Sequence, residues 1–259
     1  MANAYLLYNS DAWDAATVTA SSDATSGLTG ANVVDDLVGK PWRSTGDSSE
    51  QLVFDLGSAK QIKAIGIHVF NLTSAATVKV QANATNSWGS PTLDDTVAMV
   101  TDADSNVLER LVWTGNQTLR YWRIDIADAA NPDGYIQIGR VIGGDYWTPT
   151  INYANGFRPV MVDPSEGTPK PGRQSFWRQR KRFRHVGVTF PEIDRTDYEK
   201  WQAVFTKIGN SKPLLLMLDP TDYLTKDSMY CYLKTPLSMA HRLLGNYTNL
   251  TLTFEEVAE

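Results

Sequence analysis

The stretch Gln51-Leu-Val-Phe-Asp-Leu-Gly57 determines the fold class that we predict for the first half of the chain. Three consecutive apolar residues stand between Gln51 and Asp55, which is typical of a short strand that contributes to a core. Asp55 and Gly57 favour a turn, because Asp bonds its own backbone and Gly tolerates positive φ. The stretch therefore predicts a strand that delivers Phe54 to a core and then turns.

Similar short runs recur through the first half between clusters of Gly, Asn, Asp and Pro, with no convincing amphipathic helix among them. This pattern predicts an all-β sandwich. The other runs are Ala64-Ile-Gly-Ile-His-Val-Phe70, Thr77-Val-Lys-Val-Gln81, Tyr121-Trp-Arg-Ile-Asp-Ile126 and Tyr135-Ile-Gln-Ile-Gly-Arg-Val141.

The second half contains the clearest helix of the chain, predicted over residues 196–208. Thr196 and Glu199 match a capping box, apolar residues follow at helical spacing, and Gly209 is placed to end the helix. Four probable strands surround it, which favours one helix packed on a β-barrel or sandwich. These strands are predicted at His185–Phe190, Leu214–Leu218, Met229–Leu233 and Thr248–Phe254.

Proline and glycine are concentrated between the two halves, where the backbone should be irregular or extended. We therefore predict a β-sandwich over residues 1–148, a linker over 149–172 and a second β domain over 173–259. The charge changes sign between the halves. Residues 1–150 carry 9 Lys and Arg against 17 Asp and Glu (net −8), and residues 151–259 carry 15 against 12 (net +3).

Composition excludes several classes of protein. No run of 18 apolar residues occurs, so we expect no membrane span and no membrane partner. The N-terminus lacks the basic segment of a signal peptide, and the single Cys231 permits no intrachain disulfide, which fits synthesis in a reducing cytoplasm. The acidic balance argues against direct nucleic-acid recognition.

No catalytic set is evident, so we predict no enzyme, no catalytic residue, no metal site and no cofactor. Nucleophile-elbow, zinc-protease and phosphate-loop motifs are missing from the sequence. The segment Asp102-Ala-Asp-Ser-Asn106 begins like a calcium loop, but Val107 and Trp113 stand where Gly and Glu are required. A hairpin turn is the preferred interpretation.

The first half resembles the discoidin family of galactose-binding-like jelly rolls over about residues 25–145. The resemblance rests on a series of short motifs that come in the order of the family. They are Asn32-Val-Val-Asp35, Trp42-Arg-Ser44, Leu52-Val-Phe-Asp-Leu-Gly57, Ile62-Lys-Ala-Ile-Gly-Ile67 and Leu119-Arg-Tyr-Trp-Arg-Ile124.

The second half resembles the hub domain of distal-tail and minor tail proteins of tailed phages. The helix 196–208, Gly209, the strand Pro213–Leu218 and the acidic turn Asp219-Pro-Thr-Asp-Tyr223 come in that order, and a strand near residue 250 ends the chain. The resemblance implies a structural component of a phage tail tip or baseplate. Such a protein is made in the host bacterial cytoplasm, assembles as a hexameric or trimeric ring in the virion, and contacts other tail-tip or tube proteins.

Four arginines alternate in a basic run: Arg178, Arg180, Arg182 and Arg184. In a single strand they would line one face at intervals of about 6.6–7 Å. We interpret them as an interface for an acidic surface on a neighbouring subunit. A solvated edge that discourages aggregation and a DNA contact are the alternatives.

A carbohydrate-binding module that recognises host surface glycans is the alternative function, and a weak hydrolase is a further one. By resemblance, the sugar-binding loops would lie at one end of the sandwich, at about Gly39–Asp47, Phe70–Ala76 and Ala84–Ser90. Trp88 could stack on a sugar ring there. The other interpretation is that Trp88 caps the core or meets a neighbouring subunit.

Overall fold

The computed structural model describes residues 3–100, 110–154, 157–169, 175–239 and 249–258. This part of the chain is mainly β, which confirms the predicted fold class. The helices are α1 Asp11–Asp14 and α2 Arg195–Ile208, with a 3-10 turn at Gly30–Val34. The strands are β1 Tyr5–Asn9, β2 Thr17–Ala20, β3 Trp42–Arg43, β4 Glu50–Phe70, β5 Thr77–Asn83, β6 Leu93–Val97, β7 Arg110–Ala127, β8 Gln137–Trp147, β9 Arg158–Val162, β10 Glu166–Pro169, β11 Ser175–Arg178, β12 Phe183–Phe190, β13 Leu214–Met217, β14 Ser228–Leu233 and β15 Leu250–Glu256.

Most strands belong to one antiparallel sheet that runs through both halves of the chain. Its order is β6-β5-β7-β4-β8-β1-β13-β14-β15-β12-β9, with β2 paired to β4 and β3 paired to β8. Strands β10 and β11 pair with each other as a separate two-stranded ribbon. The path of the sheet places β6 at one edge and β9 at the other.

Strand β4 contains Gln51–Gly57 and shows how this stretch contributes to the core of the first half. Phe54 is fully buried and pairs across the sheet with the equally buried Trp122 of β7. Gly57 has φ +73°, and its N–H donates to Oδ1 of Asp55 at 2.8 Å, as the turn chemistry predicted. The strand nevertheless continues to Phe70, because pairing with β7 resumes after a shift in register. The predicted turn is therefore a bulge inside a 21-residue strand.

Strand β1 joins the two halves of the chain. It lies between β8 and β13, and Leu6 is paired with Trp147 on one side and Leu216 on the other. Ala4 and Leu6 are buried in the core of the second half, together with Phe190 and Trp201. Two residues from the N-terminus therefore complete a core whose other buried members lie between Val186 and Phe254.

The predicted helix is present as α2, with a different N-cap. The carboxylate of Asp194, not the hydroxyl of Thr196, accepts the N–H of Asp197 at 2.7 Å. The predicted capping box is therefore wrong: Glu199 instead forms an ion pair with Arg195 at 3.2 Å. Asp is at least as good an N-cap as Thr, so the helix begins at the earlier residue. Gly209, with φ +52°, follows the helix as predicted.

The Pro-rich segment 149–172 carries two strands, β9 and β10. Pro159 lies in β9 opposite Val186 of β12, at the edge of the main sheet. Proline is tolerated at such an edge because its missing N–H donor can face away from the neighbouring strand. Part of the segment predicted as a linker is thus part of the sheet in the second half.

Candidate functional site

Trp88 lies in the loop that follows β5, and hydrogen bonds hold it in place. Its indole Nε1 donates to Oδ1 of Asn86 at 2.8 Å, and Nδ2 of Asn83 donates to the carbonyl of Ser87 at 2.7 Å. The side chain is half-buried. These bonds to the loop's own residues fix the ring at the surface, as a stacking platform requires.

Planar polar side chains extend from the Trp88 ring across β5, β7 and β4. The guanidinium carbon of Arg123 lies 4.7 Å from the ring centroid. Arg123 Nε donates to Oε1 of Gln81 at 2.6 Å, and Nη1 donates to Oε1 of Gln51 at 3.4 Å. We call Trp88, Asn86, Arg123, Gln81 and Gln51 the Trp88 platform. It combines an aromatic ring with amide and guanidinium groups, which is suited to a ligand with an apolar face and several hydroxyls.

The three loops predicted at one end of the sandwich lie at two different ends. The loops Gly39–Asp47 and Phe70–Ala76 meet, since Ser44 N–H donates to the carbonyl of Ile136 and Asn71 N–H donates to that of Gln137. Ala84–Ser90 follows the opposite end of β5, a seven-residue strand about 20 Å long. That part of the prediction is wrong because Phe70–Ala76 enters β5 and Ala84–Ser90 leaves it.

The end formed by the first two loops has its own aromatic contact. The guanidinium of Arg43 lies 4.1 Å from the ring centroid of Tyr135, and its Nη2 donates to Oε1 of Gln137 at 2.8 Å. Beside it the buried Asp128 accepts from the backbone and the hydroxyl of Thr73, at 2.8 and 2.6 Å. These polar groups bond one another, so we assign them to loop structure.

The four predicted interface arginines do not share one strand. Arg178 ends β11, Arg184 lies in β12, and Arg180 and Arg182 lie between them. The expected single face is therefore wrong, because the chain leaves the ribbon and enters the main sheet within the run. Three of the four arginines meet carboxylates of their own chain. These are Arg180 with Glu166 at 3.8 Å, Arg182 with Asp163 at 3.2 Å and Arg184 with Glu256 at 2.6 Å.

Two further side chains that could act in catalysis or metal binding, His68 and Cys231, lie in the interior. His68 is buried, and burial together with the nearby Arg110, Arg184 and Arg140 lowers its pKa to about 3. Cys231 is a buried strand residue, as predicted, and burial raises the pKa of its thiol. No group of three or more His, Cys, Asp or Glu that could hold a metal occurs among the described residues. Asp102–Asn106 and His241 lie outside those residues.

In the part of the chain that the structure describes, no helix combines the length and apolar composition that crossing a bilayer requires.

The sequence matches no protein-family model and no curated protein. Among solved structures, it is similar to chitosan-binding module 2 of a Paenibacillus sp. IK-5 chitosanase/glucanase, in complex with chitotriose (18% identity, 52% of this chain, 100% of that chain, TM-score 0.41). It is also similar to the family 32 carbohydrate-binding module of Clostridium perfringens NanJ, in complex with galactose (13%, 56%, 99%, 0.39). A Ruminococcus gnavus GH29 fucosidase in complex with fucose is a third (15%, 51%, 25%, 0.39).

Proposed function

We propose that the protein is a non-catalytic carbohydrate-binding protein and that the Trp88 platform is its glycan contact. The observation that carries the proposal is the half-exposed Trp88 ring, which Asn86 holds and the Arg123 guanidinium packs on one face, so that a sugar would stack on the other. An indole ring that is already held in position loses little conformational freedom when a sugar stacks on it. The partly exposed Arg123 and Gln51 present donors and acceptors to the hydroxyls at the edge of the sugar, and the buried Gln81 orients Arg123 from below.

Arg123 supports the choice of this site over the Arg43–Tyr135 end of the sandwich. Its contacts to Gln81 and Gln51 extend the polar surface over three neighbouring strands, which are more rigid than loops. A second sugar unit that followed this polar surface from Trp88 would meet Arg123 and Gln51. We infer that its ligand is an oligosaccharide of a cell surface.

Glycan arrays probed with the wild-type protein, Trp88→Ala and Trp88→Phe test the proposal. Wild type should bind a defined group of glycans, Trp88→Ala should lose them, and Trp88→Phe should retain part of the signal because it keeps an aromatic ring. Incubation of the bound glycans with the protein should release no product. Equal binding by wild type and Trp88→Ala would remove Trp88 from the site.

A structural role in a phage tail tip is the second candidate function. It is supported by the order of elements in the second half: α2, Gly209, β13 and the Asp219 turn follow one another as the resemblance requires. In that turn, Oδ1 of Asp219 accepts the N–H of Asp222 at 3.1 Å. A purified chain that forms ring-shaped hexamers or trimers in electron micrographs would favour this function. A strict monomer in the presence of tail-tube proteins would contradict it.

A further inference from the structure

The β10–β11 ribbon leaves two large aromatic side chains exposed. Gly167 lies opposite Trp177, and Thr168 lies opposite Phe176. Successive side chains on a strand point to opposite faces, yet Phe176 and Trp177 are each 65% exposed. Among the described residues, both faces of the ribbon therefore leave most of an aromatic side chain open. A two-stranded ribbon of this kind is only marginally stable in water by itself, so a partner that covers it would stabilise it.

The chemistry of the ribbon defines the partner surface that would fit it. Arg178 and Arg180 are exposed beside the two aromatic residues, and the ion pair of Arg180 with Glu166 is long, at 3.8 Å. Aromatic residues and arginine are the residue types that dominate protein–protein hot spots. The complementary surface is an apolar recess with carboxylates at its rim.

The same chain carries a recess of this description between its two halves. It has a volume of about 610 Å³ and lies between the β6–β7 region and the turn at residues 221–226. Trp113 contributes to its apolar lining, and Asp95 and Asp222 contribute carboxylates. Asp95 is oriented by the indole Nε1 of Trp113, which donates to its Oδ2 at 2.8 Å. Tyr223, 55% exposed, adds an aromatic surface, while Lys226 is the cation on this lining within the described residues.

The charges that line the two surfaces agree with this pairing. The recess carries the carboxylates of Asp95 and Asp222 against the single cation Lys226 among its described lining, and the ribbon carries Arg178 and Arg180. Opposite charges steer two copies into contact and fix their orientation. Because the ribbon and the recess are different surfaces, the contact would be head-to-tail, which closes into a ring or extends into a filament.

We propose that the β10–β11 ribbon of one copy docks into this recess of a second copy. Phe176 and Trp177 enter the apolar part, and Arg178 and Arg180 face Asp222 and Asp95. This interface goes beyond glycan binding and does not depend on it, since the Trp88 platform uses a different set of residues.

Two variants separate the two sides of the contact. The ribbon variant combines Phe176→Ala with Trp177→Ala, and the recess variant combines Asp222→Lys with Tyr223→Ala. All four side chains are exposed, so both monomers should fold. In sedimentation velocity the wild type should self-associate, and each variant should associate at least about 30-fold more weakly, as loss of interface hot spots implies.

Mixing the two variants gives the sharpest outcome. The ribbon variant keeps an intact recess and the recess variant keeps an intact ribbon, so the mixture should form a 1:1 dimer in native mass spectrometry. Trp88→Ala is the control and should assemble like wild type, even if it loses glycan binding. A monomeric wild type, unchanged assembly of either variant, or a mixture that stays monomeric would each overturn the proposal.

Discussion

Arg140 on β8 and Tyr230 on β14 form a buried hydrogen bond between the two halves of the chain, with 3.1 Å between Arg140 Nε and Tyr230 Oη. The guanidinium is fully buried. Its Nη2 donates to Oδ1 of Asp14 at 2.6 Å, and the Tyr230 hydroxyl donates to Oδ1 of Asp36 at 3.1 Å. The buried charge is thus compensated by two carboxylates of the sandwich, and Tyr230 ties the second half to them.

Replacing Tyr230 with Phe should therefore destabilise the protein. Arg140 Nε would lose its acceptor and Asp36 would lose a donor, so the free energy of unfolding should fall by about 1–3 kcal/mol. Urea unfolding measures the change. Tyr232→Phe, at a half-buried position on the same strand, is the matched control and should stay within about 0.5 kcal/mol of wild type. Similar effects of the two changes would show that the network contributes little.

The arginines of the basic run have different roles. Single substitutions should therefore change the free energy of unfolding by different amounts. Arg184 and Glu256 form an ion pair with side chains only 12% and 5% exposed, and Arg184 Nη1 also donates to the carbonyl of Lys226 at 2.8 Å. Arg184→Gln should lower the free energy of unfolding by roughly 3–5 kcal/mol, because the buried Glu256 carboxylate keeps the backbone N–H of residue 184 but loses its cation. The exposed Arg178→Gln should stay within about 0.5 kcal/mol of wild type. If Arg184→Gln and Arg178→Gln changed stability equally in thermal and urea unfolding, the run would instead be a uniform solvated face.

His68 should make the protein sensitive to mild acid. Its pKa is lowered from 6.5 to about 3 in the folded protein, because the buried ring lies among three arginines. Between these pH values the unfolded chain binds a proton that the folded chain excludes, so stability falls as pH falls. The slope from this residue should approach about 1.4 kcal/mol per pH unit. Urea unfolding from pH 7 to 5 should show a steeper dependence in wild type than in His68→Gln. Parallel curves would contradict this assignment.

Local patterns in the sequence predicted which segments form strands and helices better than they predicted which strands pair with one another. The apolar run that contains Phe54 and the helical spacing that includes Trp201 both reflect burial in a core, which the sequence alone records. By contrast, β1 pairs with β13 more than 200 residues away, and nothing in Tyr5–Asn9 specifies that partner. The sequence therefore does not predict that β1 joins the two halves.

The candidate sites show the same division. The resemblance places Trp88 in a candidate loop, but its contact with Arg123 depends on how that loop folds over the sheet. The arginine alternation suggested one face, but the path of the chain between β11 and β12 divides it. Spacing predicts a shared face only where one strand is continuous.

The most direct test of the account is calorimetric titration of the best array glycan into three proteins: wild type, Trp88→Ala and Trp177→Ala. Both substitutions remove an indole at the surface, but only Trp88 belongs to the Trp88 platform. We expect Trp88→Ala to weaken binding by about tenfold or more and Trp177→Ala to bind like wild type. Wild-type affinity in Trp88→Ala, or a loss that appears only in Trp177→Ala, would contradict the proposed site.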